Sequence, residues 1–222
     1  MKRILELGAG AGLTAALMAD DGHHVVAVEL SPVYANFAHE HLKTPRTGTL
    51  EIIEADFYTV ELVGCFDVVC YWDGFGVGSD ADHRRLLQLI AQNWLAPDGC
   101  VLMDVFSPVK PIRDANTTVQ LDPLEGVPES VKMNRRCYFD PLNCRWIDEW
   151  EPVDKPDKAL AQTVRCYTPV DFLLLLEGTN LRLKHLEVDG EAIDFEAGSI
   201  VTSGPLMEAY SYLVQLEVDL SD

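Results

Sequence analysis

Positive charge is scarce in this chain. Only 17 Lys and Arg stand against 36 Asp and Glu, a formal charge of −19 over 222 residues, and nowhere do the basic residues form a run. Nucleic acids and anionic membranes are bound by clustered cations, so the composition excludes both as expected partners and favours small neutral or cationic ligands. Long apolar runs are also missing. The longest, such as Phe172 to Leu176, are five residues and fall far short of the roughly 20 that cross a bilayer. The six cysteines include no C-x-x-C pair, and no His, Cys or carboxylate set has metal-ligand spacing, so no metal site is expected. Without an export signal, the thiols read as reduced and the protein as cytoplasmic. A G-x-S-x-G elbow, a phosphate-binding P-loop, internal repeats and low-complexity tracts are all absent.

What the chain does have is concentrated near its start. Arg3 to Leu7 reads as a short buried strand, followed by Gly8-Ala9-Gly10-Ala11-Gly12 and a helix from about Leu13. Glycines permit positive φ and close approach of a ligand to the backbone. The amides from Gly10 to Leu13 are expected to face a ligand at the helix N-terminus. A dinucleotide fingerprint needs glycine at position 13, where Leu stands. Glu6, two residues before the first glycine, would repel a pyrophosphate and suits a ligand with a cationic end, such as an ammonium or a sulfonium.

His23 to Glu29 is a second, nearly continuous apolar strand of the kind buried on both faces of a parallel sheet. Ser31-Pro32 opens a helix to about Lys43, with Ser as cap and Pro at the first position. Thr49 to Ala55 and Phe66 to Tyr71 are further strands. A helix capped by Ser79 or Asp80 is expected to reach Leu95, and Cys100 to Phe106 is a fifth strand. Strands alternating with helices imply a parallel sheet covered on both faces.

Glu6-Leu7-Gly8-Ala9-Gly10-Ala11-Gly12, Glu29 and Asp56-Phe57, in that order at successive strand ends, resemble the motifs of class I S-adenosylmethionine (SAM) dependent methyltransferases. The resemblance spans most of the chain. It implies a Rossmann-like α/β fold with a mostly parallel seven-stranded sheet and an antiparallel last strand. It also implies SAM as cofactor, S-adenosylhomocysteine as product, and a single domain over 1–222. The first 106 residues would bind SAM, 107–167 would form an inserted loop and antiparallel β-hairpin cap, and 168–222 would complete the sheet. In the family, the glycine loop cradles the methionine half of SAM, and a carboxylate placed as Glu29 is accepts hydrogen bonds from ribose hydroxyls. An acid placed as Asp56 is meets the adenine amino group, with Phe57 over the ring. Leu30 and Tyr71 join the candidate cofactor-binding residues. The resemblance also implies a helical cover ahead of the first strand; this chain starts at that strand, so another element or a second subunit (a homodimer) is expected to cover the site.

The end of the fourth strand, Tyr71-Trp72-Asp73-Gly74-Phe75-Gly76, should border the acceptor. It departs from the Asn/Asp-Pro-Pro-Tyr/Phe signature of methyltransferases acting on amide or base nitrogens. Asp73 is the candidate general base or substrate-orienting group, and Trp72 and Phe75 are candidate substrate contacts. Residues 107–129 read as a long loop, and strands 131–139 and 144–151 as a hairpin turned by Asp140-Pro141-Leu142-Asn143. The hairpin offers Arg136, Tyr138, Trp146, Asp148, Glu149 and Trp150. Strand alternation lets only one set point inward; Tyr138 and Glu149 are taken as substrate-binding. The acceptor is expected to be a small molecule methylated on nitrogen or oxygen. The alternatives are an NAD-binding oxidoreductase and a non-catalytic SAM-binding module.

Overall fold

The computed structural model describes residues 1–123, 130–195 and 203–219. Its first half runs β1 (Arg3–Leu7), α1 (Leu13–Asp20), β2 (His24–Glu29), α2 (Pro32–Glu40), β3 (Thr49–Glu54), β4 (Phe66–Tyr71), α3 (Asp80–Leu89) and β5 (Leu95–Phe106). The second half runs α4 (Val109–Arg113), β6 (Thr117–Leu121), β7 (Met133–Asp140), β8 (Arg145–Pro152), β9 (Leu160–Arg165), α5 (Pro169–Leu176), β10 (Leu181–Val188), β11 (Glu191–Ala192) and β12 (Ser211–Val218).

The main sheet has the order β3-β2-β1-β4-β5-β12-β10-β11. Strands β1 to β5 pair in parallel, and β12 inserts antiparallel between β5 and β10. These are the seven expected strands with the antiparallel last strand, extended by the two-residue edge strand β11. Side-chain alternation divides the core. Leu5 and Leu7 of β1 point to the face covered by α3 and α5, with Leu86, Leu87 and Phe172. Ile4 points to the other face, against Ala15 and Ala19 of α1 and Ala38 of α2. Glu6 shares the Ile4 face by its spacing.

Local signals place several boundaries. The Ser31 hydroxyl accepts from the Tyr34 amide with Pro32 at the first helical position. Ser79 and Asp82 form a reciprocal capping box on α3. Helical structure continues, as expected, almost to Leu95, but its last part is not α-helical. Residues Ile90–Trp94 form a π turn, and β5 already begins at Leu95, so Pro97, Asp98 and Gly99 lie within a strand.

The inserted segment is larger than a hairpin. β7 and β8 do pair as expected, but β6 and β9 flank them in a separate four-stranded antiparallel sheet. The stretch read as a loop from 107 contains α4 and β6; its residues 124–129 lie outside the described residues. β6 is almost wholly exposed, and its apolar alternation is limited to Val119 and Leu121, too short a pattern to mark a strand. Cys137, Trp146 and Val164 on the inner face of this sheet pack on Phe106 at the end of β5 and on Tyr210 just before β12. The cap therefore stands over the carboxyl ends of the parallel strands.

Candidate active site

Each of Gly8, Gly10 and Gly12 has positive φ, at 61°, 55° and 75°. Their role is conformational and steric more than hydrogen-bonding. The Gly10 amide donates to Glu29 Oε2 at 2.8 Å and the Gly12 amide to the Ala9 carbonyl at 2.9 Å. The expectation that these two amides face a ligand is thus corrected: both are committed within the protein. A Cβ on Gly12 would lie 2.8 Å from Ala38 Cβ, so this glycine lets α2 approach the loop. A Cβ on Gly8 would lie 3.0 Å from the Tyr71 ring, and one on Gly74 only 2.3 Å. The Tyr71 ring is the floor between these two loops and meets Phe57 edge-on at 5.7 Å.

Glu29 is nearly buried and bridges the loop after β1 to that after β2. Oε2 takes the Gly10 amide, and Oε1 takes the Ser31 amide at 2.7 Å. Each oxygen keeps a lone pair for a vicinal diol. Asp56 turns one oxygen to the Tyr58 amide at 2.8 Å and keeps Oδ2. Leu30 stands exposed at the rim beside Glu29.

Glu6 is buried among apolar side chains. Desolvation raises its pKa to about 7, against a smaller lowering by the Ala15 amide in the first turn of α1. Its Oε2 has no hydrogen-bond partner. An orphaned buried carboxylate costs free energy that a cation beside it would recover. The free lone pairs of Glu29 and Asp56, the open glycine turn and the unpartnered Oε2 of Glu6 thus fit an adenosyl group ending in an α-amino acid.

Asp73 follows β4 in the left-handed region, at φ 52°. Its backbone amide hydrogen-bonds the Asp104 carboxylate of β5. Desolvation raises the pKa of Asp73, and desolvation followed by the charge of Asp73 raises that of Asp104. Asp73 opens onto a cleft of about 640 Å³ between the end of the main sheet and the inserted sheet, with Tyr34, Arg135, Trp146, Asp148 and Trp150 on its walls. This volume is in the range of pockets for drug-sized ligands, about 300–1,000 Å³.

The other candidate substrate contacts are placed elsewhere. Phe75 is fully buried against His83, Tyr167 and Phe172, so it belongs to the core and not to the cleft. Trp72 packs on the α1 side of the sheet with Ala15 and Cys70. Tyr138 and Glu149 lie on the outer face of the inserted sheet, because their register partners Ile147 and Arg136 alternate with the inward row. On that outer face Arg136 binds Glu149 and Glu151, each at 2.8 Å. The inward row is Arg135, Cys137 and Phe139 opposite Trp150, Asp148 and Trp146. Sequence reasoning missed Arg135, Asp104, Tyr34 and Tyr210. Sequence reasoning named Arg136 in place of Arg135, and only the alternation that puts Arg135 on the Cys137 face could have found it; nothing local marks the others.

The loop carrying Asp73 is anchored behind the cleft. His83, buried on α3, meets the Tyr167 hydroxyl at 2.7 Å and the Val77 carbonyl at 3.0 Å. Tyr167 donates to Asp80 at 2.8 Å, and Arg165 donates to the same oxygen at 2.9 Å. Arg145 donates to the Gly78 carbonyl at 2.9 Å. The segment after β4 is thereby tied to the inserted sheet.

Comparison with known proteins agrees with this fold. Residues 4–99 match a family described as methyltransferase domain. No curated protein sequence matches the chain. Among solved structures, the methyltransferase CcbJ from Streptomyces caelestis is 16% identical with a TM-score of 0.78, covering 98% of this chain and 83% of its own. The sugar N-methyltransferase KedS8 from Streptoalloteichus is 18% identical with a TM-score of 0.65, covering 96% and 79%. The glycopeptide N-methyltransferase MtfA in complex with S-adenosylhomocysteine is 18% identical with a TM-score of 0.63, covering 98% and 82%. An NAD-binding oxidoreductase would carry a second nucleotide-binding half after β5; here α5, β10 and β12 close the sheet antiparallel beneath an inserted cap, which removes that alternative.

Proposed function

We propose that this protein, a methyltransferase domain over residues 4–99 within a class I SAM-dependent methyltransferase fold, transfers a methyl group from SAM to a nitrogen of a small-molecule amine. The observation that carries the choice of nitrogen is the placement of Asp73. A partly desolvated carboxylate, backed by Asp104, opens on a cleft in an acidic chain. Such a group attracts an ammonium and accepts its proton. KedS8 and MtfA, which share the fold, are named as N-methyltransferases.

SAM, when bound, supplies an electrophilic methyl carbon, so the chain's task is to hold donor and acceptor in line. Glu6 would pair with the cofactor's ammonium, Glu29 would accept from the ribose hydroxyls, and Asp56 with Phe57 would meet the adenine. Asp73 orients the acceptor amine and takes its proton at a carboxylate oxygen, leaving the nitrogen lone pair free to attack. The aromatic walls of the cleft limit water around the reacting nitrogen.

The test is incubation with SAM and matched panels of aliphatic amines, phenols and carboxylic acids, followed by mass spectrometry. A mass gain of one methylene on amines, with stoichiometric S-adenosylhomocysteine, is expected. Methylation of phenols or acids alone would overturn the assignment to nitrogen. Tight S-adenosylhomocysteine binding without turnover on any panel would favour the non-catalytic module.

A further inference from the structure

The wall of the cleft opposite Asp73 is built around one guanidinium. Arg135 Nε donates to Asp148 Oδ1 at 2.8 Å, and its Nη2 to Oδ2 at 3.1 Å. The Trp150 indole N–H donates to the same Oδ2 at 2.9 Å. Asp148 is buried, its side chain only 4% exposed, and these three bonds occupy it. The guanidinium carbon lies 5.6 Å from the Trp146 ring, 5.0 Å from Trp150 and 5.7 Å from Tyr210. Trp146 and Tyr210 are themselves stacked at 4.8 Å. Rings on several sides and a two-point carboxylate bond remove the torsional freedom of an arginine.

This is more support than a surface ion pair receives, and it leaves a residue that lines the cleft with donors to spare. Arg135 Nη1 donates to no protein group among the described residues. A planar cation held still with uncommitted N–H groups is a recognition element for oxygen atoms. The charge balance decides which oxygens. Asp148 neutralises Arg135, and Asp73 lines the same cleft in a chain of net charge −19. An anionic ligand group would add to a negative field, whereas a hydroxyl, carbonyl or ring oxygen accepts from Nη1 without that cost. The half-buried Trp150 ring also suits the C–H face of a saturated ring.

We infer that Arg135 is the acceptor-specificity residue of this cleft, selecting amines borne on a hydroxylated ring by donating to neutral oxygens away from the nitrogen held by Asp73. This rests on the methyltransferase reading and names the acceptor class for it. Asp148 is a positioning residue, acting through Arg135.

The test is calorimetry on the whole chain loaded with S-adenosylhomocysteine, titrated with glucosamine, glucose, cyclohexylamine and glucosamine 6-phosphate. Glucosamine should bind about tenfold more tightly than cyclohexylamine, the scale of one or two net hydrogen bonds, and more tightly than its phosphate or glucose. R135M should bring the ratio of glucosamine to cyclohexylamine affinity down to about one, with S-adenosylhomocysteine still bound. R135K, which keeps the charge but not the fork, should fall between. Equal binding of glucosamine and cyclohexylamine to the unaltered protein would overturn the inference. So would tightest binding of the phosphate, no binding of any probe, or a preference retained in R135M. If R135M fails to bind S-adenosylhomocysteine, the variant is misfolded and R135K decides in its place. Failure of the unaltered chain to bind S-adenosylhomocysteine is a separate result, which would remove the methyltransferase reading itself.

Discussion

The Glu29 carboxylate holds the Gly10 amide at 2.8 Å, so the residue proposed to receive a ribose is also the clamp on the glycine turn. Its second oxygen holds the Ser31 amide in the same way. One side chain thereby sets the separation of two loops that must grip one ligand.

E29Q tests this double duty. An amide presents N–H to one of the two backbone N–H donors, leaving that donor unpaired at a cost of about 1–3 kcal/mol. Chemical denaturation should register a loss of this size, and S-adenosylhomocysteine affinity should fall at least tenfold.

Glu6 predicts a pH dependence of stability. Its carboxyl titrates near 4.5 when unfolded and at about 7 when folded, raised by desolvation. The folded state therefore holds more protons between these values, and stability declines as pH rises through the window. Above it the penalty is about 3 kcal/mol, from 1.36 kcal/mol per unit. E6Q should accordingly raise the melting temperature of the unliganded protein at pH 8, and the difference from wild type should shrink toward pH 5. The same substitution should weaken S-adenosylhomocysteine, whose ammonium keeps Glu6 ionised. Near pH 6.5, wild-type binding should release a proton, read as a dependence of calorimetric heat on buffer, and E6Q should abolish it.

Two glycines of one turn should respond differently. At Gly10 nothing lies within 4 Å of an added Cβ, so G10A meets only the backbone cost of φ 55°, about 1–2 kcal/mol. At Gly12 the Cβ also strikes Ala38 at 2.8 Å, and overpacking adds about 1–3 kcal/mol. Urea titration of both variants should order them in this way.

D73N should lower kcat by about 10²–10⁴-fold, the usual contribution of a positioned base. It should leave S-adenosylhomocysteine affinity unchanged, because Asp73 faces the acceptor cleft. The wild-type rate should rise with pH through the raised pKa of Asp73, since the ionised form accepts the proton, and this limb should vanish in the variant.

Local chemistry made the sheet and the glycine turn legible in advance. The turn glycines, the apolar run of β2, the Ser31-Pro32 cap and the carboxylates at three strand ends are properties of neighbouring residues. They hold wherever those residues fold. The Asp140 turn belongs with them, since its side chain accepts from Leu142 and Asn143 within the same four residues.

The acceptor side was decided by packing between residues far apart in the chain. Strand alternation offered two rows on β7 and β8, one with Tyr138 and Glu149, the other with Arg135 and Asp148, and both contain aromatic and charged groups. Phe106 and Tyr210 chose between them by supplying an apolar platform for Cys137 and Trp146. Phe75 was drawn into the core by His83, Tyr167 and Phe172, three partners from later in the chain. A side chain's periodicity is set by its own backbone, so the sequence determined which residues share a face. Which face is dry depends on what lies opposite, and only the tertiary structure brings that partner into place.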